Sequence, residues 1–326
     1  MQAKMMNHMD RNEFLKILAG GTIGAALPRS AFSTQPTMPQ TFTYKVVGGC
    51  EIKVDVYGAT AGASKPALMW IHGGALIIGS RKQLESPFLS NLLGRGFVIV
   101  SIDYRLAPET KLQSIIEDVQ DAWRWILAEG NRRFGIDTDR IATAGASAGG
   151  YLTLMTGHCL EPRPRALVSY FGYGDITTPW LSEPSEFYRR QPLVSKEDAL
   201  GSVGTSVLSE PLPQNQRMKF YLYCRQNAIW PKEVAGHDPN NEARWFDSYC
   251  PIRNVTAKYP PTLLIHGTDD TDVPYSESKN MADKLAEAGV RHELITVKGA
   301  GHGLTGAKPE EVARIANRAV EFVEAF

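Results

Sequence analysis

The sequence lacks a charge of one sign. Its 35 lysines and arginines are matched by 35 aspartates and glutamates, so no field gathers nucleic acid or an anionic membrane surface. Cysteine is scarce. Cys50, Cys159, Cys224 and Cys250 form no Cys-x-x-Cys pair and have no metal-ligand spacing, which leaves no sign of zinc or any other metal. Cys224 and Cys250 can pair if the chain is exported, and four buried thiols are the alternative. A membrane-length apolar run is also missing from the N-terminal region: Ile17 to Pro28 offers about a dozen residues where a spanning helix needs about 20, so no stable membrane span is expected.

What stands around that short run is informative. Lys4, Arg11 and Lys16 precede it, and Ala31-Phe32-Ser33 follows with small residues at cleavage spacing. Residues 1–33 therefore read as a removable export signal, with a periplasmic or secreted protein as the consequence. Arg11-Asn12-Glu13-Phe14-Leu15-Lys16 resembles a twin-arginine signal with asparagine in place of the second arginine. A leader retained on the protein would leave it in the cytoplasm.

Thr41 to Val47 and Glu51 to Tyr57 are β-rich runs separated by Gly48-Gly49, the sign of an antiparallel hairpin. Short apolar runs follow at 66–72, 97–103, 140–144, 166–171, 262–266 and 293–297. Several are continuous rather than alternating, as suits strands covered on both faces. Between them, Leu112, Ile115, Ile116, Val119, Trp123, Ile126 and Leu127 fall at helical spacing. So do Val312, Ile315, Ala316, Ala319, Phe322 and Phe326 behind a Pro309-Glu310-Glu311 start. Strands alternating with helices predict an α/β fold with a mostly parallel sheet and a site at the carboxyl ends of its strands. From about residue 172 to 258 the alternation stops and aromatics and prolines accumulate, so this stretch reads as a cap inserted into a core made of 34–171 and 259–326.

Gly145-Ala146-Ser147-Ala148-Gly149 lies between a strand and an apolar helical stretch, Tyr151 to Cys159. That is the strand-turn-helix context of a nucleophile elbow, in which flanking glycines leave room for a turn that exposes the serine hydroxyl. Serine needs a base to take its proton. His302, framed as Gly301-His302-Gly303 after the last strand, is the best placed of the seven histidines, whereas His266 ends an apolar strand and reads as structural. The orienting carboxylate should lie on a strand-end loop between them, where Asp269, Asp270 and Asp272 all qualify. His72-Gly73-Gly74-Ala75 follows the first long parallel strand and exposes consecutive backbone N–H groups which, with the N–H of Ala148, can hold a developing oxyanion.

These blocks, with Asp103-Tyr104-Arg105-Leu106-Ala107-Pro108-Glu109 and Asp270-Thr271-Asp272-Val273-Pro274, resemble those of hormone-sensitive-lipase-like carboxylesterases and related carbohydrate esterases of the α/β-hydrolase superfamily. The resemblance runs from about residue 40 to the C-terminus and is weakest in the cap. It implies an α/β-hydrolase fold and selects Asp270 by its place in Asp-x-x-Val-Pro. It also assigns Gly73, Gly74 and Ala148 to the oxyanion hole and makes Asp103, Tyr104 and Arg105 scaffold. Ala75 departs from the usual third glycine and Ala146 from the acidic residue before the nucleophile, yet both leave the backbone donors and the serine intact. The implied activity is hydrolysis of a small-molecule carboxylic ester without a cofactor. The rivals are an exopeptidase resembling the prolyl oligopeptidase clan and a non-catalytic ligand-binding protein on the same scaffold. Acyl length, alcohol and oligomeric state are not given by these residues.

Overall fold

A computed structural model describes residues 38–84, 86–210 and 214–326; the export-signal reading of residues 1–33 lies outside them. Eight strands form one sheet: β1 (Gln40–Val47), β2 (Cys50–Tyr57), β3 (Lys65–Ile71), β4 (Val98–Ile102), β5 (Ile136–Ala146), β6 (Leu167–Tyr170), β7 (Thr262–Gly267) and β8 (His292–Val297). Their spatial order is β1-β2-β4-β3-β5-β6-β7-β8. β1 and β2 make the expected antiparallel hairpin, β2 runs antiparallel to β4, and every other pairing is parallel.

Both faces of the sheet are covered. Ala67, Met69 and Ile71 of β3 turn to one side and join the core formed with α2 (Leu112–Glu129) and α3 (Ala148–Cys159). Leu68 and Trp70 turn to the other and pack with α1 (Pro87–Gly94) and the C-terminal helix (Pro309–Glu324). Alternate residues of one strand thus serve two cores, which is why the apolar runs are continuous. The stripes read on 112–127 and 312–326 are the buried faces of their helices: Ile115, Val119, Trp123 and Ile126 on one, Ile315, Ala319, Phe322 and Val323 on the other.

Between β6 and β7 the chain leaves the strand-helix rhythm for short helices: α4 (Pro179–Ser182), α5 (Glu186–Arg189), α6 (Lys196–Leu200), α7 (Gln214–Gln226) and α8 (Trp230–Ala235). They are tied to loops at the strand ends. Arg217 of α7 donates from Nε to the Ile77 carbonyl at 2.7 Å and forms a buried ion pair with Glu109 at 2.6 Å. Trp230 of α8 donates from its indole nitrogen to the Ala75 carbonyl at 3.1 Å. Cys224 and Cys250 are separate buried thiols, so no disulfide links this insertion internally. The last two helices are α9 (Tyr275–Glu287) and α10 (Pro309–Glu324).

Register sets the height of the loops. Ile71 pairs with Gly145, Ala146 with Tyr170, and Gly267 with Val297. The carboxyl ends of β3, β5, β6, β7 and β8 therefore finish on one rim, and the segments that follow them open onto a common volume.

Candidate active site

Ser147 is the hinge between β5 and α3. Its φ of 56° with ψ of −120° lies outside the regions an L-residue prefers, a conformation that costs on the order of 1–3 kcal/mol and persists only where the surroundings enforce it. The enforcing contacts are backbone. A Cβ on Gly145 would fall 2.4 Å from the Gly149 carbonyl oxygen, and one on Gly149 would fall 2.0 Å from the Ile71 oxygen. The two glycines of the Gly-x-Ser-x-Gly pattern thus mark where β3, β5 and the start of α3 converge. The turn is closed by the Ser147 N–H, which donates to the Tyr170 carbonyl at 2.9 Å. It leaves the hydroxyl at the N-terminus of a twelve-residue helix, where the peptide dipoles favour negative charge.

The hydroxyl meets His302. Nε2 of the imidazole is 3.1 Å from Ser147 Oγ, and Nδ1 is 2.7 Å from Asp270 Oδ2. The acceptor character of a carboxylate puts the proton on Nδ1, leaving the Nε2 lone pair for the serine. Asp270 is fixed in turn. Its Oδ1 accepts the backbone N–H groups of Asp272 and Val273, each at 2.9 Å. His266 is a bracing residue: its Nε2 lies 3.0 Å from the Val273 carbonyl and 3.3 Å from Asp270 Oδ2, while its Nδ1 is 2.7 Å from the Ser278 hydroxyl of α9.

Charge in the site is set by burial against these contacts. Burial disfavours the Asp270 anion, but His302 and His266 outweigh it and hold the carboxyl well below its ordinary range. Burial likewise disfavours the imidazolium, and the carboxylates of Asp270 and Asp272 outweigh that, raising His302 above the ordinary histidine value. His72 goes the other way. Its burial lowers it to about 4, so it is neutral at ordinary pH. It stacks on Tyr104 at 4.1 Å between centroids and holds the Gly73 carbonyl through Nδ1 at 2.7 Å. Tyr104, Asp103 and Arg105 are scaffold as expected: the Tyr104 hydroxyl donates to the His72 carbonyl, Arg81 pairs with Asp103, and Arg105 grips Asp118 with two nitrogens.

Gly73 reaches the elbow directly, since a Cβ there would sit 2.7 Å from the Ala146 oxygen and 3.4 Å from Ser147 Cβ. Gly74 has a φ of +110°, and a Cβ on it would fall 2.1 Å from the Ile78 oxygen. Among the described residues the N–H groups of Gly73, Gly74 and Ala148 donate to no backbone acceptor. Ser147, Asp270, His302, Gly73, Gly74 and Ala148 are accordingly gathered in one place. Of the rival aspartates, Asp269 is exposed and accepts from Thr268, while Asp272 is buried and sits 3.6 Å from His302 Nε2.

Several neighbours of the site carry no mark of that position in the sequence. The Phe171 ring lies edge-on to His302 at 4.9 Å. Tyr188, Tyr221 and Arg225 of the insertion all converge on Asp272. Phe171 was legible only as a strand end, and the three others only as part of an aromatic-rich insertion.

A family model described as alpha/beta hydrolase fold matches residues 68–306. The esterase LipC of Mycobacterium tuberculosis is 30% identical, over 74% of this chain and 55% of that protein. The non-reducing polyketide synthase ausA of Aspergillus calidoustus is 27% identical over 91% of this chain, which spans only 14% of that relative's length. An alpha/beta hydrolase superfamily protein from Enterococcus faecalis has a solved structure with a TM-score of 0.69 and 21% identity, covering 89% of this chain and 99% of that one. The family match runs from β3 through the His302 loop and takes in the whole of the Asp270–His302–Ser147 chain, and this protein accordingly belongs to the alpha/beta hydrolase fold family.

Proposed function

We propose that the protein is a serine carboxylesterase that cleaves small-molecule esters through an acyl-enzyme. The observation that carries this is the hydrogen-bonded chain Asp270–His302–Ser147, whose outer links are 2.7 and 3.1 Å. His302 takes the Ser147 proton as Oγ attacks the ester carbonyl. The N–H groups of Gly73, Gly74 and Ala148 receive the oxyanion, the protonated alcohol departs, and water activated by the same Nε2 releases the acid. Asp270 keeps the imidazole in the Nδ1–H tautomer. That the relative LipC is an esterase supports esters over peptides as substrates.

Hydrolysis of p-nitrophenyl acetate, butyrate and octanoate by the full chain tests this, with a fluorophosphonate probe alongside. The expected result is turnover on at least one ester, abolished by probe attached at Ser147. A folded protein that neither turns over any ester nor takes up the probe overturns the reading, and prolyl peptide substrates would then be tried.

Two substitutions follow from the loop after β3. Gly74→Ala forces a side chain into left-handed backbone against the Ile78 carbonyl. Its kcat is expected to fall about 10²- to 10³-fold, the range for losing one oxyanion donor, with a lowered melting temperature by calorimetry. Trp230→Phe keeps an aromatic, though smaller, ring at this buried position and deletes the donor to the Ala75 carbonyl. Loosening that loop should lower kcat by about tenfold with little change in KM, because small misplacements near the reacting atoms are amplified in rate; steady-state kinetics on one ester measures both.

A further inference from the structure

Asp272 is a buried carboxylate that the proposed triad does not use. Asp270 serves Nδ1 of His302, whereas Oδ2 of Asp272 lies 3.6 Å from Nε2, the nitrogen that faces Ser147. That separation is too long for a direct hydrogen bond, so Asp272 does not displace the serine. Its other oxygen is saturated. Oδ1 accepts from the Tyr188 hydroxyl at 2.8 Å, from the Tyr221 hydroxyl, and from Nη1 of Arg225 at 2.8 Å. Arg225 spends its remaining hydrogen bonds on the carbonyls of Asp272 and Trp180 and on the Tyr221 hydroxyl rather than on Oδ2. A carboxylate kept only as a counter-charge for a buried arginine ordinarily offers the guanidinium both oxygens. Here three donors from the insertion fasten one oxygen and hold the other beside the catalytic nitrogen.

The chemistry at Nε2 says what that oxygen is for. Ser147 and a departing alcohol each bring a single O–H to Nε2, and Nε2 engages it. Water brings two. A second acceptor beside Nε2 therefore adds a hydrogen bond for the water and for neither of the others, while its charge favours the imidazolium in both steps alike. We propose that Asp272 is the residue that positions the hydrolytic water for release of the acyl group, a reading that rests on the serine-esterase function proposed above.

In this step the water gives one O–H to Nε2 and the other to Asp272 Oδ2. Two acceptors 3.6 Å apart, each at hydrogen-bond distance of about 2.8 Å from the water oxygen, subtend about 80° there, which bends each bond by only about 12°. With both hydrogens engaged, a lone pair is turned to the acyl carbon. Nε2 removes the first proton as the oxygen bonds to that carbon. The tetrahedral intermediate then collapses, the bond from carbon to Ser147 Oγ breaks, Oγ takes the proton back from Nε2, and the carboxylic acid leaves. Asp272 accepts a hydrogen bond throughout and transfers no proton.

Asp272→Asn retains an acceptor for Tyr188, Tyr221 and Arg225 and turns an N–H donor toward Nε2 in place of Oδ2. The full chain is assayed on p-nitrophenyl acetate, whose easy leaving group makes acyl release limiting, by stopped-flow on the alkaline plateau. The expected result is a kcat about tenfold to a hundredfold lower. KM falls with it, kcat/KM, which loses only the carboxylate's charge beside the imidazolium, falls several-fold less than kcat, and the burst approaches one nitrophenolate per site. Added methanol, which brings only one O–H, should take a larger share of the acyl group in the variant than in the wild type. Should the variant not fold, the paired change of Asp272→Ala with Arg225→Met removes both buried charges together, and the same split is expected. Parallel losses in kcat and kcat/KM with no burst, or unchanged kinetics and partitioning, overturn the assignment. Absence of turnover in the wild type would instead overturn the esterase reading itself.

Discussion

Ser147→Ala is expected to lower kcat on p-nitrophenyl esters about 10⁶-fold, the scale seen when the nucleophile of such a triad is removed, while far-UV circular dichroism and melting temperature stay near wild type. The size follows from what the residue alone provides. Covalent catalysis requires the oxygen at the apex of the turn, and no other hydroxyl lies within hydrogen-bond distance of His302 Nε2 among the described residues. The fold should tolerate the change because the turn is enforced elsewhere: by the close backbone approaches at Gly145 and Gly149 and by the bond from the residue 147 N–H to Tyr170. Alanine inherits the strained φ of 56° but loses only the hydrogen bond to His302 Nε2. A variant that keeps more than a thousandth of the wild-type rate would remove Ser147 from the mechanism. A variant that unfolds would be uninformative about chemistry, and Ser147→Gly, which accepts the positive φ without strain, then takes its place.

The parts of the fold legible in the sequence are those whose physics is local. Continuous apolar runs marked the parallel strands because each must face two cores, and Gly48-Gly49 marked the hairpin because both residues have positive φ. β5 begins at Ile136, four residues ahead of the run read at 140–144, because half-buried Asp137 and Thr138 and exposed Asp139 and Arg140 precede the strand's entry into the core. α9 has a thin stripe, with Met281, Ala282 and Leu285 sharing its buried face with Glu277 and Ser278, so part of that face is polar. The members of the Asp270–His302–Ser147 chain are legible because each sits in a frame of glycines or prolines at a strand end. What could not be read is long-range. Arg225 and Asp272 are 47 residues apart and Tyr188 and Asp272 are 84 apart, and nothing in either segment marks the other. The aromatics of the insertion read only as part of a cap, and Trp230 and Tyr188 are buried there; only three-dimensional geometry shows that their polar atoms reach back to the loop after β3 and to the loop after β7.

Position alone leaves three neighbouring aspartates open for orienting the histidine, the family resemblance selects Asp270, and substitution is expected to separate them. Asp270→Asn should cost about 10⁴-fold in kcat, because an asparagine amide can donate to Nδ1 and so favours the Nε2–H tautomer, which has no lone pair for the serine proton. Oδ1 still accepts from the N–H groups of Asp272 and Val273, so the loop should hold its shape. Asp272 cannot take over, since its carboxylate lies on the Nε2 side of the ring while the vacated role is at Nδ1. Asp269→Asn, at an exposed carboxylate bonded to Thr268, should leave kcat within about twofold, as surface changes usually do. The pH profile gives the same ordering by an independent route. His302 works as a base only when neutral, and its carboxylate neighbours outweigh burial and raise its pKa, so the acidic limb of wild-type kcat/KM should lie above the ordinary histidine value of about 6.5. Activity is then lost as pH falls through that raised value. Removing the Asp270 charge should move the limb to lower pH while depressing the plateau, and Asp269→Asn should leave both in place. An Asp269 variant that behaves as Asp270→Asn is expected to behave would mean that the carboxylate at Nδ1 has been assigned to the wrong residue.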